Sequence, residues 1–160
     1  MISNVAAEAD ATARYPTIYK SAGTDGIIVL GAIVSFDPDP TDLTKQYRPA
    51  SKERIANCCI DPSVVYEIRG DGGGTPLDTW VWMNANMIAT TAGDTTTGLS
   101  GMQLDEGTTD GPEVNQTNPL LIVGASTRPD ETRLAVNTLW EVLLNTYWNA
   151  AGSVLGVSGA

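Results

Sequence analysis

The sequence predicts an all-β fold: a single-domain β-barrel or β-sandwich, jelly-roll-like, with long loops and an extended N-terminal arm. Three observations predict it. Charged residues make up only 18% of the 160-residue chain, against 42% hydrophobic. There are sixteen glycines and many threonines, which suit turn-rich β-structure better than helix. The apolar residues also come in short runs of strand length, bounded by stretches rich in Gly, Pro and Asp. A chain of this length can bury one core and is too short to expect two.

The elements follow in order. Residues 1–25 are rich in Ala, Thr, Ser and Asp and show little periodicity. They read as an extended arm, with at most a short helical turn over 5–11. Residues 27–36 (IIVLGAIVSF) are dense in β-branched side chains and read as a strand apolar on both faces, with Gly31 as a bulge or close-approach point. A loop covers 37–52. Residues 54–60 form a second apolar strand, stopped by Asp61-Pro62. In 64–69 (VVYEIR), Val64, Tyr66 and Ile68 share one face and Glu67 and Arg69 the other. GDGGG at 70–74 is a turn, since these residues reach positive φ cheaply. Residues 78–88 (DTWVWMNANMI) read as a strand region with Trp80 and Trp82 on one face. Long polar loops at 90–101 and 105–118 flank residues 102–104. Residues 119–125 (PLLIVGA) are a buried strand, and 126–133 a loop. Residues 138–148 (TLWEVLLNTYW) fit either element. Extended, they align Trp140, Val142, Leu144 and Trp148 against Glu141 and Asn145; their Thr, Val, Trp and Tyr content favours the strand. The domain then spans 26–148, between the arm at 1–25 and a flexible tail at 149–160.

Composition excludes several kinds of chemistry. The chain has no histidine, so a Ser-His-Asp triad, a Cys-His dyad and every histidine-containing metal site are ruled out. The two cysteines, Cys58 and Cys59, are adjacent. Neighbours on a strand point to opposite faces, so they are poorly placed to bond each other. They fit a reducing compartment during folding. Neither a phosphate-binding loop of the Walker type nor a GxGxxG turn after a strand is present. The N-terminal segment has neither a basic start nor an apolar core, so no secretory leader is expected. No apolar run approaches the ~20 residues of a membrane helix.

FDPDPTD, residues 36–42, tests the metal and acid/base readings most directly. As a calcium loop, Asp37, Asp39 and Thr41 would fill the first ligand positions, but the required glycine is Asp42 and the required glutamate is Arg48. Pro38 and Pro40 remove backbone donors and fix φ, so the stretch reads as a stiff strand exit that blocks edge pairing. Asp105, Glu106, Asp110 and Glu113 read as a solvated loop. Arg69-Gly70-Asp71 matches an adhesion tripeptide, yet its last two residues are well explained as turn residues. Trp80, Trp82, Trp140 and Trp148 read as core or subunit interface. No catalytic residue, cofactor or metal is therefore expected, and no enzymatic activity.

Nineteen acidic residues face nine basic ones, giving a net charge of −10. That field repels nucleic acid. Four of the nine basic residues, Lys45, Arg48, Lys52 and Arg54, lie within ten positions around Tyr47. They read as a solvated loop or as a docking patch for an acidic partner.

The ordered blocks IVSFDPDP, YRPASKERI, DPSVVYEIRGDGG, NANM, GLSGMQLD, PLLIVGA and LWEVLLN resemble small virion proteins of tailed bacteriophages, of the head decoration or cement type. The resemblance runs over residues 33–145 and lies in the order of the blocks; it brings no catalytic residues. It implies a β-barrel-like subunit, trimeric or dimeric, attached to the major capsid protein on the outer shell. Such a subunit is assembled in the host cytoplasm and ends on the virion surface. Lys45, Tyr47, Arg48, Lys52 and Arg54 are the expected capsid contact, and neither nucleic acid nor membrane is expected as a partner. Two other classes stay open. One is a carbohydrate- or receptor-binding β module of a phage tail or fibre, using the tryptophans. The other is a small acid/base enzyme using Asp105 and Glu113.

Overall fold

Residues 139–144 (LWEVLL) alternate with period two, and the strand they form buries Trp140, Val142 and Leu144 on one face. This strand is the middle of the fold. The computed structural model describes residues 2–6, 15–49 and 52–148, with residues 2–6 described by their backbone. In chain order the strands are β1 (Ile2–Ala6), β2 (Thr17–Lys20), β3 (Val29–Phe36), β4 (Ala56–Cys59), β5 (Tyr66–Gly70), β6 (Asn84–Ala85), β7 (Met87–Ile88), β8 (Gln103–Leu104), β9 (Leu120–Ala125) and β10 (Leu139–Leu144). One short 3-10 helix, Asp78–Trp80, precedes β6.

The protein is all-β. Its larger sheet has six strands in the order β6-β9-β10-β5-β8-β7. The two edge strands, β6 and β7, are separated in the chain by Asn86 alone. The sheet therefore curls until its edges nearly meet, as a nearly closed barrel. β10 pairs antiparallel with both neighbours: Trp140 stands opposite Ala125 and Ile68, and Val142 opposite Ile122 and Tyr66. Directly opposed residues share a face, so these pairs and Leu144 with Leu120 converge inside the barrel. Met87, Leu104 and Ala85 fill the space from the short strands. Trp140, Leu104, Leu120 and Ile122 are fully buried, each contributing about 1.5–3 kcal/mol of apolar transfer. Trp80 packs on the core, with its ring centroid 5.8 Å from that of Trp140.

A second sheet of four strands has the order β2-β1-β3-β4. The segment read as an arm thus contributes two antiparallel strands, with Ile2 opposite Lys20 and Ala6 opposite Thr17. The helical turn considered over 5–11 lies partly outside the described residues; Val5 and Ala6 belong to β1. β3 is covered only over its first half. Val29 and Gly31 are buried, whereas Ile33 and Val34 are 38% and 66% exposed. Gly31 is a close-approach point, as expected: a Cβ there would collide with the Cys59 carbonyl of β4. The two sheets are stitched where β3 begins. Val29 N–H donates to Thr146 O at 2.7 Å, and Trp148 N–H returns to Val29 O at 3.3 Å.

Other expectations need correction. Residues 78–88 are a 3-10 turn and two two-residue strands. Trp82 has φ 72° and is 48% exposed, so it does not share a face with Trp80. Trp148 lies beyond the end of β10 and is 51% exposed. Asn145 is buried rather than outward, with its amide donating to the carbonyls of Gln116 (3.2 Å) and Asn118 (2.9 Å). The tail at 149–160, expected to be flexible, lies outside the described residues.

Candidate functional site

The loop that joins β3 to β4 carries the basic cluster, and Arg54 determines its shape. The Arg54 guanidinium donates through Nη1 to the carbonyls of Lys45 (3.0 Å) and Tyr47 (2.6 Å), and through Nη2 to that of Asp37. Its carbon lies 5.4 Å from the centre of the Phe36 ring, within cation–π range. Asp37 N–H donates to Ile55 O at 2.9 Å, closing the neck of the loop. A planar five-donor fork suits this gathering of carbonyls, and lysine could not replace it.

The first half of the loop is two consecutive aspartate turns. Asp39 Oδ1 accepts from Thr41 N–H (2.9 Å) and Thr41 Oγ1 (2.6 Å). Asp42 Oδ1 accepts from Thr44 N–H (3.1 Å) and Thr44 Oγ1 (2.6 Å). These threonine hydroxyls, followed by the backbone N–H groups, hold both carboxyls below the usual carboxylate range. Lys45 Nζ lies 3.9 Å from Asp39 and 3.4 Å from Asp42. Asp39 and Asp42 thus build turns.

Loop 37–55 is also buttressed from outside. A Cβ on Gly98 would stand 3.0 Å from Gln46, so the loop at 90–101 packs directly on it. Residues 37–41 and 52–55 line an open cleft of about 350 Å³. Of the five residues expected at a capsid contact, Arg54 is spent on backbone carbonyls and Lys45 on two aspartates. Tyr47 is half-buried. Arg48 and Lys52 are exposed, and neither side chain forms an ion pair among the described residues. The structure therefore brings the described residues of the cluster together on the connection between β3 and β4 and leaves Arg48 and Lys52 exposed.

The carboxylates of the loop at 105–118 take separate roles. Glu106, expected to be solvated, is 1% exposed. Its Oε1 accepts from Trp140 Nε1 at 2.8 Å and its Oε2 from Gly72 N–H at 3.0 Å. Burial raises its carboxyl above the usual range; the Trp140 and Gly72 hydrogen bonds act in the opposite sense, and nearby Asp71 adds to the rise. A Cβ on Gly70 would collide with this carboxyl, which is why residue 70 is glycine. Asp71 Oδ1 in turn accepts from Glu106 N–H (3.0 Å) and Gly73 N–H (3.0 Å). Arg69 is ion-paired with Glu131. The adhesion tripeptide is thus engaged within the fold at both charged residues. Asp105 caps its own turn through Gly107 N–H at 2.8 Å.

Glu113 joins a different group, which the sequence did not reveal. Its Oε1 accepts from Asn115 Nδ2 (3.1 Å) and Asn118 Nδ2 (3.3 Å). Asp25 accepts from Asn86 Nδ2 (2.8 Å) and from the same Asn115 amide (3.3 Å). The group draws on three separate parts of the chain, at 25, 86 and 113–118, so only the fold assembles it.

Cys58 and Cys59 are free and half-buried, and burial pushes the Cys58 thiol up. Among the described residues there is no group of three or more Cys, Asp or Glu side chains placed to hold a metal ion. No protein-family model, curated protein or solved structure matches the chain.

Proposed function

We propose that the chain is a virion structural protein of a tailed bacteriophage, a capsid decoration protein that attaches to the major capsid protein and stabilises the shell without catalysis. The observation that carries the reading is the connection between β3 and β4 that Arg54 gathers. It presents Arg48 and Lys52 outward on a body of net charge −10. The resemblance of the sequence blocks to decoration proteins supports it. So does the exposed apolar end of β3, where Ile33 and Val34 offer surface to a second copy or to the shell. On this reading the protein is a homo-oligomer on the outer capsid surface.

The test is binding to empty phage heads across a salt series. Charges at an interface rim mainly tune on-rate and salt dependence. The double variant Arg48→Glu, Lys52→Glu should lose occupancy and flatten the salt response. A control carrying Asp110→Lys and Asp130→Lys, both exposed in the structure, should not. Equal occupancy of the two variants at every salt concentration would sink the docking role of the loop.

Trp82 favours a second reading, a carbohydrate- or receptor-binding module of a tail or fibre. A tryptophan at φ 72° is strained, and strain of this kind concentrates at functional sites. Its half-exposed ring offers a stacking face. Tryptophan fluorescence titrated against a glycan panel separates the readings: saturable quenching lost in Trp82→Ala supports the module.

A further inference from the structure

β4 is an edge of the smaller sheet, and among the described residues it pairs with β3 alone. The other sheet edges are guarded. β2 follows Pro16 and ends on Lys20, and proline and lysine both discourage strand pairing. On the larger sheet, Asn84 of β6 exchanges backbone hydrogen bonds with Glu113, and Met87 of β7 donates to Gly23 O. β4 has neither proline nor charge: residues 55–60 read IANCCI, and residues 27–36, which contain β3, are equally uncharged. Asp37 N–H donates to Ile55 O, and a Cβ on Gly31 would collide with Cys59 O, so Ile55 and Cys59 turn their peptide groups toward β3. The register shift between these strands inserts Val34 into β3, so the alternation along β4 is unbroken. The N–H and C=O groups of Ala56 and Cys58 therefore point away from the sheet. Among the described residues only the Cys58 thiol approaches them, 3.8 Å from Ala56 O.

We propose that β4 pairs antiparallel with β4 of a second copy across a two-fold axis at Asn57, joining the two small sheets into one. Two outward residues spaced i, i+2 are self-complementary under such an axis. Ala56 of each copy exchanges both hydrogen bonds with Cys58 of the other, so every outward group of both strands is used. Chains of net charge −10 repel each other, which favours contact where neither copy brings a charge. Ile55 and Ile60 flank the seam, each 45% exposed, and lose water when it forms. This inference rests on the oligomer part of the reading above and names its contact; its test needs no capsid.

The experiment is sedimentation equilibrium of the full chain without phage heads, with amide hydrogen exchange followed from dilute to concentrated protein. A dimer with a dissociation constant of about 10 μM is expected, as for a small interface. On concentration, exchange at the Ala56 and Cys58 amides should slow at least about fivefold, while Asn57 and Cys59, which face β3, change less. Added salt should strengthen the dimer by screening like charge, the reverse of its expected effect on head binding, so the two readings fail separately. Asn57→Lys sets two lysines against each other at the axis and should weaken association about fivefold. A chain that stays monomeric at millimolar concentration would overturn the proposal, as would a dimer whose protected amides lie elsewhere. Slow exchange at Ala56 and Cys58 at every concentration would overturn it by showing that the chain covers its own edge. Protection gained only on adding heads would give the edge to the shell instead. Should Asn57→Lys fail to fold, exchange in the native chain decides alone.

Discussion

Replacing Glu106 should destabilise the barrel even though a buried carboxylate is itself costly. Glu106→Ala leaves Trp140 Nε1–H without an acceptor in a position with no solvent access, since Trp140 is 0% exposed. An orphaned buried donor costs about 1–3 kcal/mol, and losing a charge-assisted bond to Gly72 adds about 1 kcal/mol more. Relief of the desolvated charge offsets part of this, so a net loss of roughly 1–3 kcal/mol is expected. For a chain of this size that lowers the melting temperature by about 2–12 °C. Glu106→Gln separates the charge from the shape. Its oxygen still accepts from Trp140, while its amide meets Gly72 N–H donor to donor. Because burial raises the folded Glu106 carboxyl above the ordinary glutamate value of 4.5, its favourable contribution is complete below pH 4.5 and is lost as pH rises through the folded value. The stability difference, wild type minus Glu106→Gln, should therefore grow as pH falls from neutral toward 4.5. Urea unfolding followed by tryptophan fluorescence measures both quantities. A loss below 1 kcal/mol in Glu106→Ala, or a difference that shrinks on acidification, would refute the reasoning.

Two further outcomes follow from the geometry. Arg54→Ala removes the donors that gather three carbonyls, so loop 37–55 should be cut at least several-fold faster by trypsin after Lys45 and Lys52, with the barrel left intact; unchanged cleavage would show that the loop holds its shape without Arg54. Burial that raises the Cys58 thiol should slow its alkylation at pH 8 relative to a free cysteine peptide, and mass-mapped labelling faster than the peptide would contradict the buried placement.

The parts of the fold that could be read from the chain are those governed by local alternation. β10 and β5 carry period-two patterns, and the structure turns Trp140, Val142, Leu144, Tyr66 and Ile68 inward accordingly. The run at 78–88 misled because its tryptophans and valine favour strands, whereas a turn at Asp78–Trp80 and positive φ at Trp82 break the strand. β1 and β2 lack apolar periodicity; backbone pairing of β1 with β3 and of β2 with β1 forms them, and such pairing leaves no pattern in the side chains. Glu106 was hidden for a related reason. Among glycines, threonines and aspartates it reads as solvated, and both its hydrogen-bond donors lie 34 residues away. At the basic cluster the sequence could place five residues in one loop. It could not reveal that Arg54 and Lys45 face inward and that Arg48 and Lys52 are left.

Asn86, the single residue between the two edges of the curled sheet, works as a clasp. Met87 N–H donates to Gly23 O at 2.7 Å, and the Asn86 amide reaches Asp25, so the clasp is fastened to the segment leading into β3. Peeling that segment away and parting the seam are then a single event. Amide protons of Ala85 and Met87 should exchange with solvent at matched rates, set by one shared opening. Whatever grips residues 23–25 from outside would also slow the breathing of a barrel it does not touch.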